Sequence, residues 1–154
     1  GLKTATREQA LGEHMPTDSP VGADSSSVTR RAAAQAFERA GVGPADLDLV
    51  ELQDTDSGTE LISMEALGLC EPGAAGRVLE SGATRLGGRQ PVNPSGGLLS
   101  KGEPVGASGL GQVYEVVSQL RDRCGPRQVT DARLGLTHAL GAGGNCSVLV
   151  FERC

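Results

Sequence analysis

An α/β fold, with helices laid over a mixed β-sheet, follows from three features of this 154-residue sequence. Segments of helical period open on polar residues and stop at glycine. Three short Val/Leu-rich runs read as strands, and a glycine-rich turn joins the last two. The resulting order is helix, strand, helix, loop, helix, strand, strand, the order of an α/β domain.

Residues 1–24 are polar and turn-rich (Pro16, Asp18, Pro20, Gly22) and read as a loop or connecting segment, although LKTATREQAL could form a turn or two of helix. The domain proper is expected over 25–154. Ser25–Ser27 offer N-caps ahead of VTRRAAAQAFERA, which places Val28, Ala32, Ala36 and Phe37 on one face before Gly41 ends the helix. GVGPADLDLVELQD then predicts a turn, a short capped segment and a strand at Asp48–Leu52. SGTELISMEALG predicts a second helix, with Leu61, Met64, Ala66 and Leu67 apolar and Gly68 as its stop. Asp54 and Asp56 are candidate caps for it. Residues 70–105 are loop-rich, a length that within a compact domain is usually functional or disordered, and Leu98, Leu99 and Val105 are too apolar for disorder. A long helix follows, about 106–123, with Val113, Val116, Val117 and Leu120. Gly109 and Gly111 near its start weaken it by about 1 kcal/mol each relative to Ala, which makes sense if backbone or ligand packs hard there. RLGLTHAL and CSVLVFER complete the sheet as two strands around the 141–145 hairpin.

The composition narrows the function. With two Phe, one Tyr and no Trp, the core must be built from Leu, Val and Ala. Fourteen basic residues against nineteen acidic give a net charge of −5. Without a basic face or stacking rings, nucleic acid is not an expected partner. No apolar run approaches the 18 residues of a membrane span, and the N-terminal residues lack an apolar signal core. Four scattered cysteines with no CxxC, and two histidines (His14, His138), argue against a structural zinc site and for a reduced, cytoplasmic setting. No metal is expected.

Of the 23 glycines, nine fall between Gly82 and Gly111, which marks backbone that turns sharply or approaches something closely. A glycine loop entering a helix is a phosphate cradle by physics, but this one is neither GxxxxGK[ST] nor a strand-borne GxGxxG. Its residues match something more specific. Asn93–Gly109, NPSGGLLSKGEPVGASG, closely resembles the NPSGGLxSKGHPxGATG segment of thiolase-superfamily proteins, above all the sterol-carrier/lipid-transfer branch and its side-chain-cleaving aldolase relatives. The similarity continues through MEALGLCEPGAAGR (64–77), GQVYEVVSQLR (111–121) and GLTHALGAGG (135–144), covering about 25–153. It implies the C-terminal half of a thiolase fold: a mixed sheet with helices on both faces, part of an αβαβα layered whole.

Two departures from that resemblance bear on chemistry. The GHP histidine, which helps form an oxyanion hole for the thioester carbonyl, is Glu103 here, and the histidine of HDxF is Gln53 in Gln53-Asp54-Thr55-Asp56. An ionised carboxylate cannot donate to an oxyanion, and losing one such donor costs about 3–4 kcal/mol of transition-state stabilisation. The third histidine position, in HNxG, survives as His138 followed by Ala139. The family's nucleophilic cysteine belongs to the N-terminal half. Thiolytic chemistry by this stretch alone is not expected.

Each candidate has a plainer reading beside the functional one. Glu103 is either an acid or base recruited for a different reaction, such as retro-aldol cleavage, or a loop carboxylate paired with Lys101 or solvated. Gln53 orients a water or carbonyl, or caps a loop. His138 faces substrate, or is a satisfied structural histidine. Tyr114 is a general acid, as the aldolase resemblance encourages, or helix packing. Cys146, alternating with the apolar Val148 and Val150, reads as a small core residue. Asn93, Gly96, Gly97, Gly106, Ser108, Gly109, Gly143 and Gly144 are expected to let loop, helix start and hairpin approach an acyl-CoA pocket. The resemblance therefore implies an acyl-CoA-processing component that makes or breaks a carbon–carbon bond in a CoA or carrier-protein thioester. The thioester is substrate, and no resident cofactor is expected. Its partner would be an N-terminal thiolase half or a homologous thiolase-like subunit, with a small OB-fold protein as a further candidate. The alternative is a catalytically lapsed module that binds an acyl chain or scaffolds an assembly.

Overall fold

A computed structural model describes residues 2–9, 23–141 and 144–154. Four strands form one sheet in the order β1-β4-β3-β2, where β1 is Leu2–Gln9, β2 Leu49–Glu51, β3 Leu134–Gly141 and β4 Asn145–Glu152. β2 runs parallel to β3, with Glu51 opposite Thr137, while β3–β4 and β4–β1 are antiparallel. The predicted mixed α/β sheet is present, with helices on both faces.

One face is closed by α1 (Ala23–Ala40), whose Val28, Ala32 and Ala36 are buried and whose Phe37 packs beside them. α2 (Ser57–Ala66) and α3 (Ala75–Glu80) extend this layer through Met64, Leu67 and Ala75. Facing them from the sheet are Leu136, Val148 and Val150. The other face carries α5 (Ser108–Leu120), with Val116 and Leu120 packed on Leu49 and Phe151. Gly135 makes that approach possible. A Cβ there would lie 2.7 Å from Val116 Cγ1, closer than side chains pack. Each fully buried Leu or Val adds about 1.5–3 kcal/mol, so these two aliphatic layers can replace the missing rings.

Three boundaries differ from the sequence reading. The loop assigned to 1–24 does not hold for Leu2–Gln9, which is an edge strand on β4. Its Lys3, Arg7 and Glu8 hide the apolar alternation by which a strand is recognised, and such charges are usual on exposed sheet edges. Positions 10–22 of that segment lie outside the described residues. Ser25–Ser27 are inside α1 rather than capping it, since the helix begins at Ala23. The long helix is shorter than 106–123, and its buried face holds Gln112, Glu115 and Gln119 beside the aliphatics. Gly109 does sit near β3, its added Cβ 3.7 Å from Ala139 Cβ, but Gly111 faces open space. The close-packing explanation therefore applies to Gly109 alone.

Candidate functional site

The carboxyl end of β2 is joined to the glycine loop residue by residue. Val50 N donates to Pro91 O at 2.9 Å and Asn93 N to Val50 O at 2.7 Å. Leu52 N donates to Asn93 Oδ1 at 2.8 Å. Glu51, fully buried, accepts from Ser95 N at 3.0 Å and Ser95 Oγ at 2.7 Å. Asp54, also buried, accepts from Leu98 N at 2.7 Å. It thereby caps α4 (Gly97–Lys101), a short helix entered through the left-handed Gly96 (φ 96°). Gly97 is obligatory by geometry, because its φ is +64° and a Cβ there would fall 2.6 Å from Asp54 Cγ. Of the two proposed caps for α2, Asp56 is the one that serves, accepting from Thr59 N at 2.8 Å. Asp54 caps the other helix.

This clasp sets two side chains against each other. Gln53, leaving the end of β2 almost buried, donates its Nε2–H to Glu103 Oε1 and has Thr55 Oγ1 3.4 Å away. They stand at a cleft of about 550 Å³ lined also by Val105, Gly106, Ser108, Gly109, Ala139, Leu140, Gly141, Asn145 and Ser147. Glu103 is not paired with Lys101. The ammonium instead turns to Ser95 Oγ at 2.5 Å and lies 3.8 Å from Glu51 Oε2. Ser108 donates its hydroxyl to Pro104 O at 3.1 Å, which steadies the turn into α5.

The remaining sequence candidates fall in three places. Gly106 and Gly109 line the cleft with Ser108, while Asn93, Gly96 and Gly97 hold the loop behind it. Gly144 adopts φ 70° in the hairpin, and Gly143 lies outside the described residues. His138 and Tyr114 do not join Glu103. His138 is absent from the cleft lining and faces α1, where it meets Thr29. It is fully buried, with Nε2 3.0 Å from Thr29 Oγ1 and Nδ1 accepting from Gln53 N at 3.4 Å. Since Nδ1 accepts, the hydrogen-bond pattern assigns the proton to Nε2, which donates to Thr29. Burial pulls its pKa down to about 4, so the ring is neutral at pH 7. Cys146 is buried, with Sγ 3.7 Å from Thr29 Oγ1. Tyr114 is 74% exposed and neither packs in the core nor reaches the cleft.

A group the sequence reading passed over lies below the loop. Glu51, held by Ser95 and Lys101, is buried in the sheet, and burial raises its pKa despite the Ser95 hydrogen bonds and the Lys101 charge. Glu115, on the sheet-facing side of α5, accepts from Arg127 Nη2 at 3.0 Å and from Gln119 Nε2 at 3.0 Å. Burial and the Glu115 carboxylate push the Cys124 thiol up to about 11, which leaves it unreactive as a nucleophile at neutral pH. The available signal was a glutamate inside the apolar run LVEL and another inside the valine stripe of VYEVV. Among the described residues, no cluster has the make-up of a metal site, and no helix is long and apolar enough to cross a membrane.

Comparison with known proteins agrees with this architecture. The profile of the family "Thiolase C-terminal domain-like" matches residues 19–153. Rat (Rattus norvegicus) sterol carrier protein 2 is 41% identical, in an alignment covering 99% of this chain and 29% of the rat protein. Acetyl-CoA acetyltransferase of Methanothermobacter thermautotrophicus is 48% identical over 126 residues, covering 81% of this chain and 33% of that enzyme. Among solved structures, the "Ltp2-ChsH2(DUF35) aldolase" superposes with a TM-score of 0.80 at 24% identity, over 97% of this chain and 38% of that one. The chain thus spans about a third of the length of such relatives.

Proposed function

This chain belongs to the thiolase C-terminal domain-like family, and on that premise we propose that it is the C-terminal half of an acyl-CoA-processing enzyme whose chemistry has moved from thiolysis to carbon–carbon bond cleavage or formation by base catalysis. The observation that carries this reading is the Gln53–Glu103 hydrogen bond at the cleft mouth. Where the resemblance implies two histidines, one of them an oxyanion donor, these residues present one amide donor already committed to a carboxylate acceptor. An acceptor so placed is suited to take a proton. With a 3-hydroxyacyl thioester, Glu103 would take the hydroxyl proton as the Cα–Cβ bond breaks, releasing a carbonyl compound and leaving the electron pair on the thioester α-carbon. Donors for the resulting enolate would come from the complementary half.

The exposed surface supports a need for that half. Val105, Leu110 and Tyr114 are 97%, 72% and 74% exposed around the start of α5, with Leu99 at 57% on α4. Apolar side chains gathered in this way mark interaction surfaces. A complementary N-terminal half, or a homologous thiolase-like subunit, is the proposed occupant, with a small OB-fold protein as a further partner on the aldolase pattern.

The second reading, an acyl-binding or scaffolding module without catalysis, is favoured by His138, which is neutral and directed away from the cleft. Reconstitution with a cysteine-bearing N-terminal half decides between them. Turnover of a 3-hydroxyacyl-CoA that drops at least tenfold in Glu103→Gln supports the catalytic reading. Binding of the acyl-CoA without turnover, unchanged by Glu103→Gln, supports the module and refutes the proposed role of Glu103.

A further inference from the structure

The end of the sheet opposite the Gln53–Glu103 cleft has a chemistry of its own. Parallel β2 and β3 and the first turn of α5 bring the cleft to one end, while the last turn of α5 and the final residues of β4 lie at the other. There a groove of about 590 Å³ has Leu2, Val117, Leu120 and Phe151 as its apolar side, with Arg121, Arg123 and the Glu152–Cys154 segment around it. Neighbouring charges are largely matched. Arg153 Nη2 lies 2.7 Å from Asp122 Oδ2, and Lys3 Nζ lies 3.2 Å from Glu152 Oε2. Arg121 and Arg123 have no acidic partner among the described residues, in a chain whose net charge is −5. Two guanidinium groups without an ion-pair partner among these residues thus stand beside an apolar surface.

We propose that this groove is a binding site for a small amphiphile with an anionic head, the apolar tail lying on Val117, Leu120 and Phe151 and the head held by Arg121 and Arg123. The volume is of small-molecule scale. Guanidinium forks match carboxylate and phosphate oxygens alike, so both heads belong to the expected class. Charge alone would suit any anion, and the apolar side alone any alkyl group; the arrangement selects for a molecule with both. The site shares no residue with the Gln53–Glu103 cleft, and it stands whether or not that cleft is catalytic.

Octanoate and octyl phosphate test the two heads, with 1-octanol and inorganic phosphate as half-ligands. Binding to the chain is followed by calorimetry and by amide shifts in ¹H–¹⁵N spectra. Saturable binding of octanoate or octyl phosphate, with shifts centred on 117–123 and 151–153, is expected, and the stronger of the two identifies the preferred head. The double variant Arg121→Glu/Arg123→Glu, both residues being exposed, should weaken that binding at least tenfold without moving the urea midpoint. Three results would overturn the proposal: 1-octanol or phosphate binding as tightly as the amphiphiles, affinity unchanged in the double variant, or no saturable binding at millimolar ligand.

Discussion

Introducing a methyl group at Gly97 tests the loop architecture most directly. Two costs are expected. Alanine at φ +64° sits in the left-handed region, at about 1–2 kcal/mol for an L-residue. Its Cβ would also fall 2.6 Å from Asp54 Cγ, so the carboxylate must leave and surrender its 2.7 Å hydrogen bond from Leu98 N. A hydrogen bond to a buried charged group contributes about 1.5–3 kcal/mol. Gly97→Ala should therefore lower stability by about 2.5–5 kcal/mol, read from urea unfolding by far-UV circular dichroism at unchanged m-value. In Asp54→Ala the obstructing carboxylate is gone and the same hydrogen bond already lost, at about 1.5–3 kcal/mol. Adding Gly97→Ala to it should then cost only the backbone term. The two substitutions should thus be less than additive by about 1.5–3 kcal/mol. Additivity within about 0.5 kcal/mol, the behaviour of independent sites, would refute the clasp between Asp54 and the glycine loop.

Other consequences are equally specific. His138 titrates at about 4 when folded and near its ordinary 6.5 when unfolded. The unfolded state therefore binds more protons between those values, so stability falls as pH drops from 6.5 toward 4 and this contribution levels off below. His138→Gln should flatten that part of the stability–pH curve, and an unaltered slope would place the ring elsewhere. At Glu51, replacement by Gln keeps an acceptor for Ser95 and removes a buried charge, so unfolding should shift by about 1 kcal/mol or less. Glu51→Leu strands the Ser95 N–H and hydroxyl and should cost about 2–4 kcal/mol, and equal losses would contradict the Glu51–Ser95 hydrogen bonds. Leu110→Asp/Tyr114→Lys should abolish pull-down of a complementary N-terminal half while leaving the urea midpoint of the chain unchanged. Retained capture would move the interface off α5.

The parts of the fold legible in the sequence were those whose pattern coincides with local physics. α1, α2, β3 and β4 have apolar residues at the right period and glycines where the chain must turn. β1 was not legible, because an edge strand is held by its neighbour's backbone and needs no apolar alternation of its own. The polar side of α5 was missed for a related reason. Gln112, Glu115 and Gln119 occupy buried phases that a hydrophobicity pattern assigns to solvent, and for Glu115 and Gln119 what permits it is a long-range set of partners in the 127–129 segment. At the site, motif position found Gln53 and Glu103 separately; their hydrogen bond across fifty residues could only come from the fold. His138 and Tyr114 show the converse. Motif position singled out His138 and the aldolase resemblance Tyr114, and neither side chain meets Glu103.

The substitutions at Gln53 and Glu103 gain meaning from one another. A carboxylate alone at the cleft mouth would repel any developing oxyanion, and a glutamine alone would leave a donor without a defined acceptor. Paired, the amide fixes the carboxylate by one oxygen, and the proposed base catalysis would use the other for a substrate proton. Behind Gln53, its backbone N–H is taken by His138 Nδ1. The surviving histidine therefore reaches the cleft through the residue that replaced another. His138 is on this account a positioning residue, and its loss should act through Gln53 on Glu103. In the reconstituted enzyme, His138→Gln, which can still accept at that position, should retain activity within about threefold, whereas His138→Leu should lose tenfold or more; kcat falls by orders of this size when a catalytic group is misplaced by about 1 Å. Equal activity in the two variants would separate His138 from the pair and leave Gln53 to hold Glu103 unaided.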